Sequence, residues 1–308
     1  MKINLKSNIC LLTAAIVWGL AFVFQDIAAE KLSHFTINGL RCLIAFISLM
    51  PLVIYKSKKN NIPILENTKE KRKDLLKAGI FCGLALFFAM NLQQLSISLY
   101  PSDIAASGRT GFIVGLYAVL VPIVCFILFK KKTSINVIIS VIIAAVGLYL
   151  LCFGKSFNKI ELGDIINMVC ALCFAIHIIV VDRYIGRADG IKISALQLLT
   201  CGSLSIILAL IFEQPNIKDI NSVIFSILYL GIFSSGLAYT MQILGQQYSN
   251  NPTVDALIMS LESVFAVLGG MIILGEKLSI KEGIGCALMF LAIILAQLPI
   301  FNKEKKNV

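Results

Sequence analysis

Ten long apolar segments constrain the fold of this chain more than any other feature of its sequence. Each has at least about 17 residues with few charges, enough for an α-helix to cross roughly 30 Å of hydrocarbon. The segments are approximately residues 9–25, 35–55, 75–98, 102–129, 134–153, 163–181, 194–212, 222–248, 253–275 and 283–300. Only 14% of the residues are charged, against roughly 25% in an average soluble domain. The sequence therefore predicts an all-α integral membrane protein with ten transmembrane helices.

The basic residues are distributed unevenly between the predicted loops. If the amino terminus is cytoplasmic, the loops on that side, including residues 56–77, hold 19 Lys and Arg residues, and the opposite loops hold 6. Such an excess marks cytoplasmic loops. We therefore expect both termini in the cytoplasm and the protein in the cell (plasma or inner) membrane. The net charge of +10 consists mostly of these orientation signals beside anionic lipid, so no nucleic-acid partner is expected.

A weak internal repeat divides the chain into residues 1–154 and 155–308, with five predicted helices in each half. Pro101 and Pro252, 151 residues apart, both lie in a short turn between two apolar segments. Because five is an odd number, the second half enters the membrane from the side opposite to the first. This predicts an inverted-topology repeat, which secondary transporters use for alternating access around a site at the bilayer midplane.

Several sequence blocks resemble the EamA family of the drug/metabolite transporter superfamily, and together they span nearly the whole chain. In the first half they include Trp18-Gly19 and Arg41. The most specific block is NNPTVDALIMSLESVFAVLGGMIILGE, residues 250–276, in which Ser263 replaces the proline usual in relatives. The resemblance implies a ten-helix transporter, two EamA-like repeats and export of amino acids or related metabolites. It implies no enzymatic activity.

Ionisable residues inside the predicted helices are the strongest candidates for a binding site, since each costs roughly 2.5–3.5 kcal/mol at a helix centre. Glu262 lies ten residues after Pro252, and Arg109 lies eight residues after Pro101, so both are expected near mid-depth. We expect them to face one cavity between helices one, three, four, six, eight and nine, with Asp255 on the same face as Glu262. There Glu262 binds an amino group or a proton and Arg109 binds a carboxylate. The alternative is a structural ion pair between them.

Further polar and aromatic side chains complete the predicted site. Amide side chains either bind an amino-acid backbone or bridge helices for about 1 kcal/mol each. A lone histidine in an apolar helix is either a neutral hydrogen-bonded group or a proton relay. Arg41, near the outer end of its segment, either lines the pathway or extends to the membrane surface. The additional predicted substrate-binding residues are Gln94, Gln242, His177, Trp18, Tyr239 and Asn91.

The sequence does not support cofactor, metal or enzymatic chemistry. It contains no cluster with metal-ligand spacing, no nucleophile–base arrangement and no complete phosphate-binding loop. We expect no cofactor, no metal and no catalytic residue. The expected partners are a small-molecule substrate (an amino acid or a similar metabolite), a coupling proton and the lipid bilayer. The alternative to a carrier is an integral membrane enzyme or a lipid-handling protein without transport activity.

Overall fold

The structure is a computed structural model that describes residues 4–64, 66–101, 106–130, 133–152, 160–249, 251–274 and 279–298. Within these ranges the chain is almost entirely helical and forms no β-strand. Nine elements in the described residues are long and apolar enough to cross a membrane, and a shorter apolar helix covers Ile135–Leu150. The prediction of an all-α membrane protein is confirmed. The predicted repeat boundary at residues 154 and 155 lies outside the described residues.

The helices follow the predicted segments, with boundaries moved by several residues. Before residue 153 they are α1 (Leu5–Ala29), α2 (His34–Lys59), α3 (Lys69–Ser98), α4 (Ala106–Gly115), α5 (Tyr117–Phe129) and α6 (Ile135–Cys152). After residue 159 they are α7 (Leu162–Tyr184), α8 (Gly190–Phe212), α9 (Ile217–Ser222), α10 (Ile224–Tyr229), a π-helical segment (Leu230–Leu237), α11 (Ala238–Tyr248), α12 (Pro252–Met259), α13 (Glu262–Leu274) and α14 (Ile280–Gln297).

Two predicted transmembrane segments are each broken into two helices. Leu116 separates α4 from α5, and its N–H bonds to the carbonyl three residues earlier at 3.2 Å. Leu261, between α12 and α13, makes the same kind of bond at 3.2 Å. Such bonds form a tight 3₁₀-like turn that redirects the helix. The first residues after the two breaks are Tyr117 and Glu262, in segments where the sequence predicts continuous helices.

The two halves of the chain are interleaved. Helix α3 packs on α7, and α1 packs on α11; α2 packs on α8 and on the π-helical segment; α6 packs on α14. Each of these contacts joins a helix before residue 153 to an element after residue 159. The main apolar core, which includes Leu11, Leu86, Val121, Leu198 and Leu257, therefore receives side chains from both halves.

Large apolar side chains also cover the outside of the helical bundle. Ile47, Phe88 and Leu210 are 66%, 55% and 64% exposed, respectively. Soluble proteins rarely expose contiguous apolar surface on this scale. Because the helices satisfy their own backbone hydrogen bonds, this surface is suited to contact with lipid hydrocarbon.

The beginning of α1 and the end of α14 lie at the same end of the bundle. Asn8 Nδ2 donates to Gln297 Oε1 at 2.8 Å, and Ser7 Oγ donates to Gly245 O at 2.8 Å. An even number of membrane crossings brings both ends of a chain to one side. Of the basic residues counted for orientation, those at positions 2, 131, 132, 155, 159, 277, 303, 305 and 306 lie outside the described residues.

Candidate functional site

A central cavity with an empty volume of about 440 Å³ lies between helices from both halves. Every lining residue except Trp18 is buried. The polar lining residues are Gln25, Arg41, Gln93, Ser234, Gln242 and Glu262, and the others are Trp18, Phe22, Val114, Tyr117, Phe174, Ile178, Tyr239 and Met259. The cavity touches α2 in addition to the six spans that the sequence predicts around it.

Aromatic rings form much of the cavity wall. The centroids of the Trp18 and Tyr239 rings are 4.9 Å apart, and those of Tyr117 and Phe174 are 6.4 Å apart. Trp18 Nε1 donates to Ser234 O at 3.0 Å, which fixes the indole relative to the π-helical segment. Such walls provide large apolar contact area with few rotatable bonds.

Glu262 is the acidic residue of the cavity. It is 5% exposed and begins α13, where the partial positive charge of a helix N-terminus favours a carboxylate. Its carboxyl group adjoins the Tyr117 hydroxyl, and Oε1 has no hydrogen-bond partner among the described residues. Gly19 lets α1 approach this point, because a Cβ there would lie 2.7 Å from Glu262 O and 2.6 Å from Phe265 Cβ.

Arg41 is the basic residue of the cavity, so of its two alternatives the structure agrees with the pathway-lining one and not with extension to the membrane surface. It is 2% exposed and lines the cavity. Its Nε donates to Ser235 Oγ at 2.9 Å and its Nη2 to Ser234 Oγ at 2.8 Å. These hydroxyls hold the side chain inside the bundle. The adjacent pair of serines in an otherwise apolar segment is the sequence signal that points to a buried polar partner.

Gln242 is a predicted site residue that lines the cavity. Its Nε2 donates to Gln246 Oε1 at 3.1 Å, and Gln246 Nε2 donates to Ile178 O at 3.0 Å. The Gln242 Oε1 atom has no hydrogen-bond partner among the described residues. The chain of amides fixes the Gln242 side chain and leaves an acceptor for a ligand. Gln93 and Gln25 add two further amides to the wall.

Arg109 does not line the cavity and does not contact Glu262. Its Nε donates to Asp164 Oδ1 at 2.5 Å, and its Nη2 pairs with Asp164 Oδ2. The Tyr100 hydroxyl donates to the same carboxylate at 2.8 Å. Neither the shared cavity expected for Arg109 and Glu262 nor the alternative ion pair between them is present, because the start of α7 places another carboxylate directly beside the guanidinium.

Asn91 and Gln94 are also absent from the cavity wall. Asn91 Oδ1 accepts from Asn38 Nδ2 at 3.1 Å, and Asn91 Nδ2 donates to Ser205 Oγ at 3.1 Å. Gln94 Nε2 donates to Gln25 O at 3.2 Å. These amides bridge α3 to α1, α2 and α8, as the helix-bridging alternative predicts.

His177 and Asp255 do not line the cavity. His177 Nε2 is 3.0 Å from Gln197 Oε1, and its ring packs edge-on against Tyr239 with centroids 6.0 Å apart. Asp255 is fully buried in α12. The break before α13 separates Asp255 from Glu262, so the continuous polar face predicted for this segment does not form.

The candidate site has the composition of a binding site for a small molecule. Within the described ranges, no three His, Cys, Asp or Glu residues come close enough together to hold a metal ion. The cavity instead combines aromatic walls, amides and one charged group of each sign. These groups are suited to binding and orienting a ligand that is both polar and apolar.

The chain resembles known transporters in sequence. The sequence profile of the EamA-like transporter family matches residues 5–153 and 161–298. An uncharacterized transporter from Archaeoglobus fulgidus is 28% identical over 295 residues, covering 96% of this chain and 87% of that protein. Protein PecM from Dickeya dadantii is 24% identical over 240 residues, covering 76% of this chain and 80% of that protein.

A solved crystal structure has the same fold, with a TM-score of 0.76 at 16% identity over 95% of this chain and 98% of the other. The family profile covers both halves and nearly all described residues. The predicted multi-pass membrane transporter of small molecules is confirmed by this match, and so is the expectation that the chain is not an enzyme. The chain belongs to the EamA-like transporter family.

Proposed function

We propose that the protein is a secondary carrier that exports amino acids or related metabolites through the central cavity by alternating access. The observation that carries the proposal is the position of Glu262, a buried carboxyl on the wall of a cavity between the two halves. A buried carboxyl without an ion-pair partner among the described residues is costly in a membrane protein. A substrate amino group would compensate for that cost when it binds.

The rest of the wall supports a substrate with an apolar side chain. Trp18, Phe22, Tyr117, Phe174 and Tyr239 contribute five aromatic rings. Burying apolar substrate atoms against them is favourable by roughly 25 cal/mol per Å². The amide of Gln242 supplies an acceptor for a polar group of the substrate.

The proposed mechanism treats residues 1–154 and 155–308 as two inverted repeats that move relative to each other. In such a repeat, α1 corresponds to α7 and α3 corresponds to α11. The packing supports this division, because α3 packs on α7 and, equivalently, α11 packs on α1. The breaks before Tyr117 and Glu262 lie in corresponding helices. Discontinuous helices at the substrate site are typical of transporters with inverted repeats. In this mechanism, repacking of the helices opens the cavity to one side of the membrane and then to the other.

The proposed coupling ion is a proton, carried by Glu262. Its Oε1 atom makes no hydrogen bond with a described residue, so the carboxyl group is accessible to a proton or an ammonium group from the cavity. If the proton and the substrate ammonium group compete for this carboxyl group, the protein would move substrate in one direction across the membrane and protons in the other. The proposed location is the plasma or inner membrane, with both termini in the cytoplasm. The excess of basic residues in the loops on that side supports this orientation.

Uptake by proteoliposomes tests the proposal. The purified full chain is reconstituted and supplied with each of the twenty amino acids in radiolabelled form, with and without a pH gradient. We expect saturable uptake of amino acids with apolar side chains. A pH gradient that is acidic inside the vesicles should accelerate this uptake. Transport of other metabolites but no amino acid would contradict the proposed substrate class. Amino-acid transport insensitive to the pH gradient would contradict proton coupling alone.

A further inference from the structure

Arg41 is exceptional among the buried basic residues that the structure describes. Arg109 and Lys192 are also buried, but each is paired with a carboxylate, on Asp164 and Glu66 respectively. Arg41 makes no ion pair with a described carboxylate, and its recorded partners are two neutral serine hydroxyls. A guanidinium stays charged in proteins, so this is an uncompensated positive charge inside a membrane bundle.

The π-helical segment is built to hold this charge at the cavity. Its wide turn presents the consecutive residues Ser234 and Ser235 to the same guanidinium. Gly231 allows the required approach of α2, because a Cβ there would lie 2.6 Å from Ile44 Cγ2. π-helical turns inside α-helices occur frequently at functional sites. The segment therefore holds Arg41 by two hydrogen bonds without neutralising its charge.

The guanidinium keeps donors for a ligand. Ser235 and Ser234 accept from Nε and Nη2, and Nη1 makes no hydrogen bond with a described residue. The Nη1–Nη2 edge of an arginine matches the two oxygens of a carboxylate. Arg41 also lines the cavity together with Glu262, and the two do not pair.

We propose that Arg41 is the carboxylate-binding residue of the cavity and that it restricts the substrate to molecules carrying an anionic group. The proposal rests on the proposed function in one respect, namely that substrate occupies this cavity. Ser234 and Ser235 hold the Nε–Nη2 edge of the guanidinium, and the substrate carboxylate binds the Nη1–Nη2 edge. With Glu262 binding the amino group, the cavity then selects α-amino acids over the corresponding amines.

A matched set of three ligands tests this assignment. L-Phenylalanine carries both charges, 3-phenylpropionate lacks the ammonium group, and 2-phenylethylamine lacks the carboxylate. Trp18 is the single tryptophan of the chain and lines the cavity, so its fluorescence reports binding directly. Titrations use the full chain in lipid nanodiscs, as wild type, Arg41→Gln and Arg41→Lys. Arg183→Gln, which removes an exposed arginine of α7, is the matched control.

We expect the wild type and the Arg183→Gln control to bind L-phenylalanine at least about tenfold more tightly than 2-phenylethylamine. Arg41→Gln should lose binding of 3-phenylpropionate and bind L-phenylalanine and the amine alike. Arg41→Lys keeps the charge but not the planar fork, so it should retain a reduced preference for the carboxylate. This second variant also serves if Arg41→Gln does not fold.

Two results would overturn the assignment. One is a folded Arg41→Gln variant that binds 3-phenylpropionate as the wild type does; this would leave the proposed carrier function standing. The other is a wild-type protein that does not bind 3-phenylpropionate. A third result separates the two proposals. If 3-phenylpropionate binds in an Arg41-dependent way and L-phenylalanine binds no more tightly than 3-phenylpropionate, the role of Arg41 is supported and the amino-acid substrate of the proposed function is contradicted.

Discussion

Tyr117 and Glu262 begin the second helices of two broken transmembrane segments, and their side chains adjoin each other at the central cavity. They are 145 residues apart, as are Ser134 and Ser279 just before α6 and α14. A turn in the middle of a span redirects the helix and points its next side chain into the bundle. The cavity is therefore centred where the same local break occurs once in each half.

Replacing Glu262 by glutamine should abolish transport. The substitution preserves shape but removes the charge that we propose for binding an amino group. We expect transport to fall by at least about tenfold in proteoliposomes, with unchanged yield and unfolding temperature. Glu70→Gln, at an exposed position in the first turn of α3, is the control and should transport normally. Full activity in Glu262→Gln would exclude this carboxyl from substrate and proton binding.

The close approach of α1 to α13 should make Gly19 intolerant of a side chain. A Cβ at Gly19 would lie 2.6 Å from Phe265 Cβ, whereas one at Gly111 would find its nearest neighbour, Phe22 Cε2, at 3.6 Å. Gly19→Ala should therefore cost roughly 1–3 kcal/mol of stability and displace Glu262. Gly111→Ala should cost much less. Thermal unfolding and uptake of the two variants check this, and equal behaviour would contradict the packing argument.

The ion pair of Arg109 and Asp164 should be a structural contact between α4 and α7. Asp164→Asn removes the carboxylate that pairs with the buried guanidinium, and removing one partner of a buried ion pair typically costs roughly 3–5 kcal/mol. Adding Arg109→Gln should restore most of the stability and also transport. Thermal unfolding and proteoliposome uptake measure the two effects. A stable double variant that does not transport would instead support the substrate-binding role that the sequence suggests for Arg109.

The two halves of the chain should have opposite orientations in the membrane. Reporter fusions after α5 are expected to place residue 130 in the cytoplasm, and fusions after α8 are expected to place Gln214 outside. The loop at residues 56–77 should also be cytoplasmic, because of its eight basic residues. A carboxyl-terminal reporter found outside the cell would contradict the ten-span topology and the inverted repeat together.

The sequence alone was sufficient for the class of fold and the family. Hydropathy is a property of each residue in its own segment, and roughly twenty apolar residues insert as a helix whatever their neighbours do. Trp18, Tyr239, Gln242 and Glu262 were identifiable because polar or amphipathic side chains near the middle of an apolar segment have few places to go except the interior of the bundle.

Only the tertiary structure decided which polar groups share the cavity. Arg109 and Arg41 are both arginines inside apolar segments, and nothing local to either indicates its partner. The rotation of α4 beside α7 gives Arg109 the carboxylate of Asp164, whereas the π-helical turn gives Arg41 two hydroxyls and an open edge. A charge in a membrane takes whichever partner the packing of distant helices brings nearest, and that packing depends on contacts along the whole length of both halves.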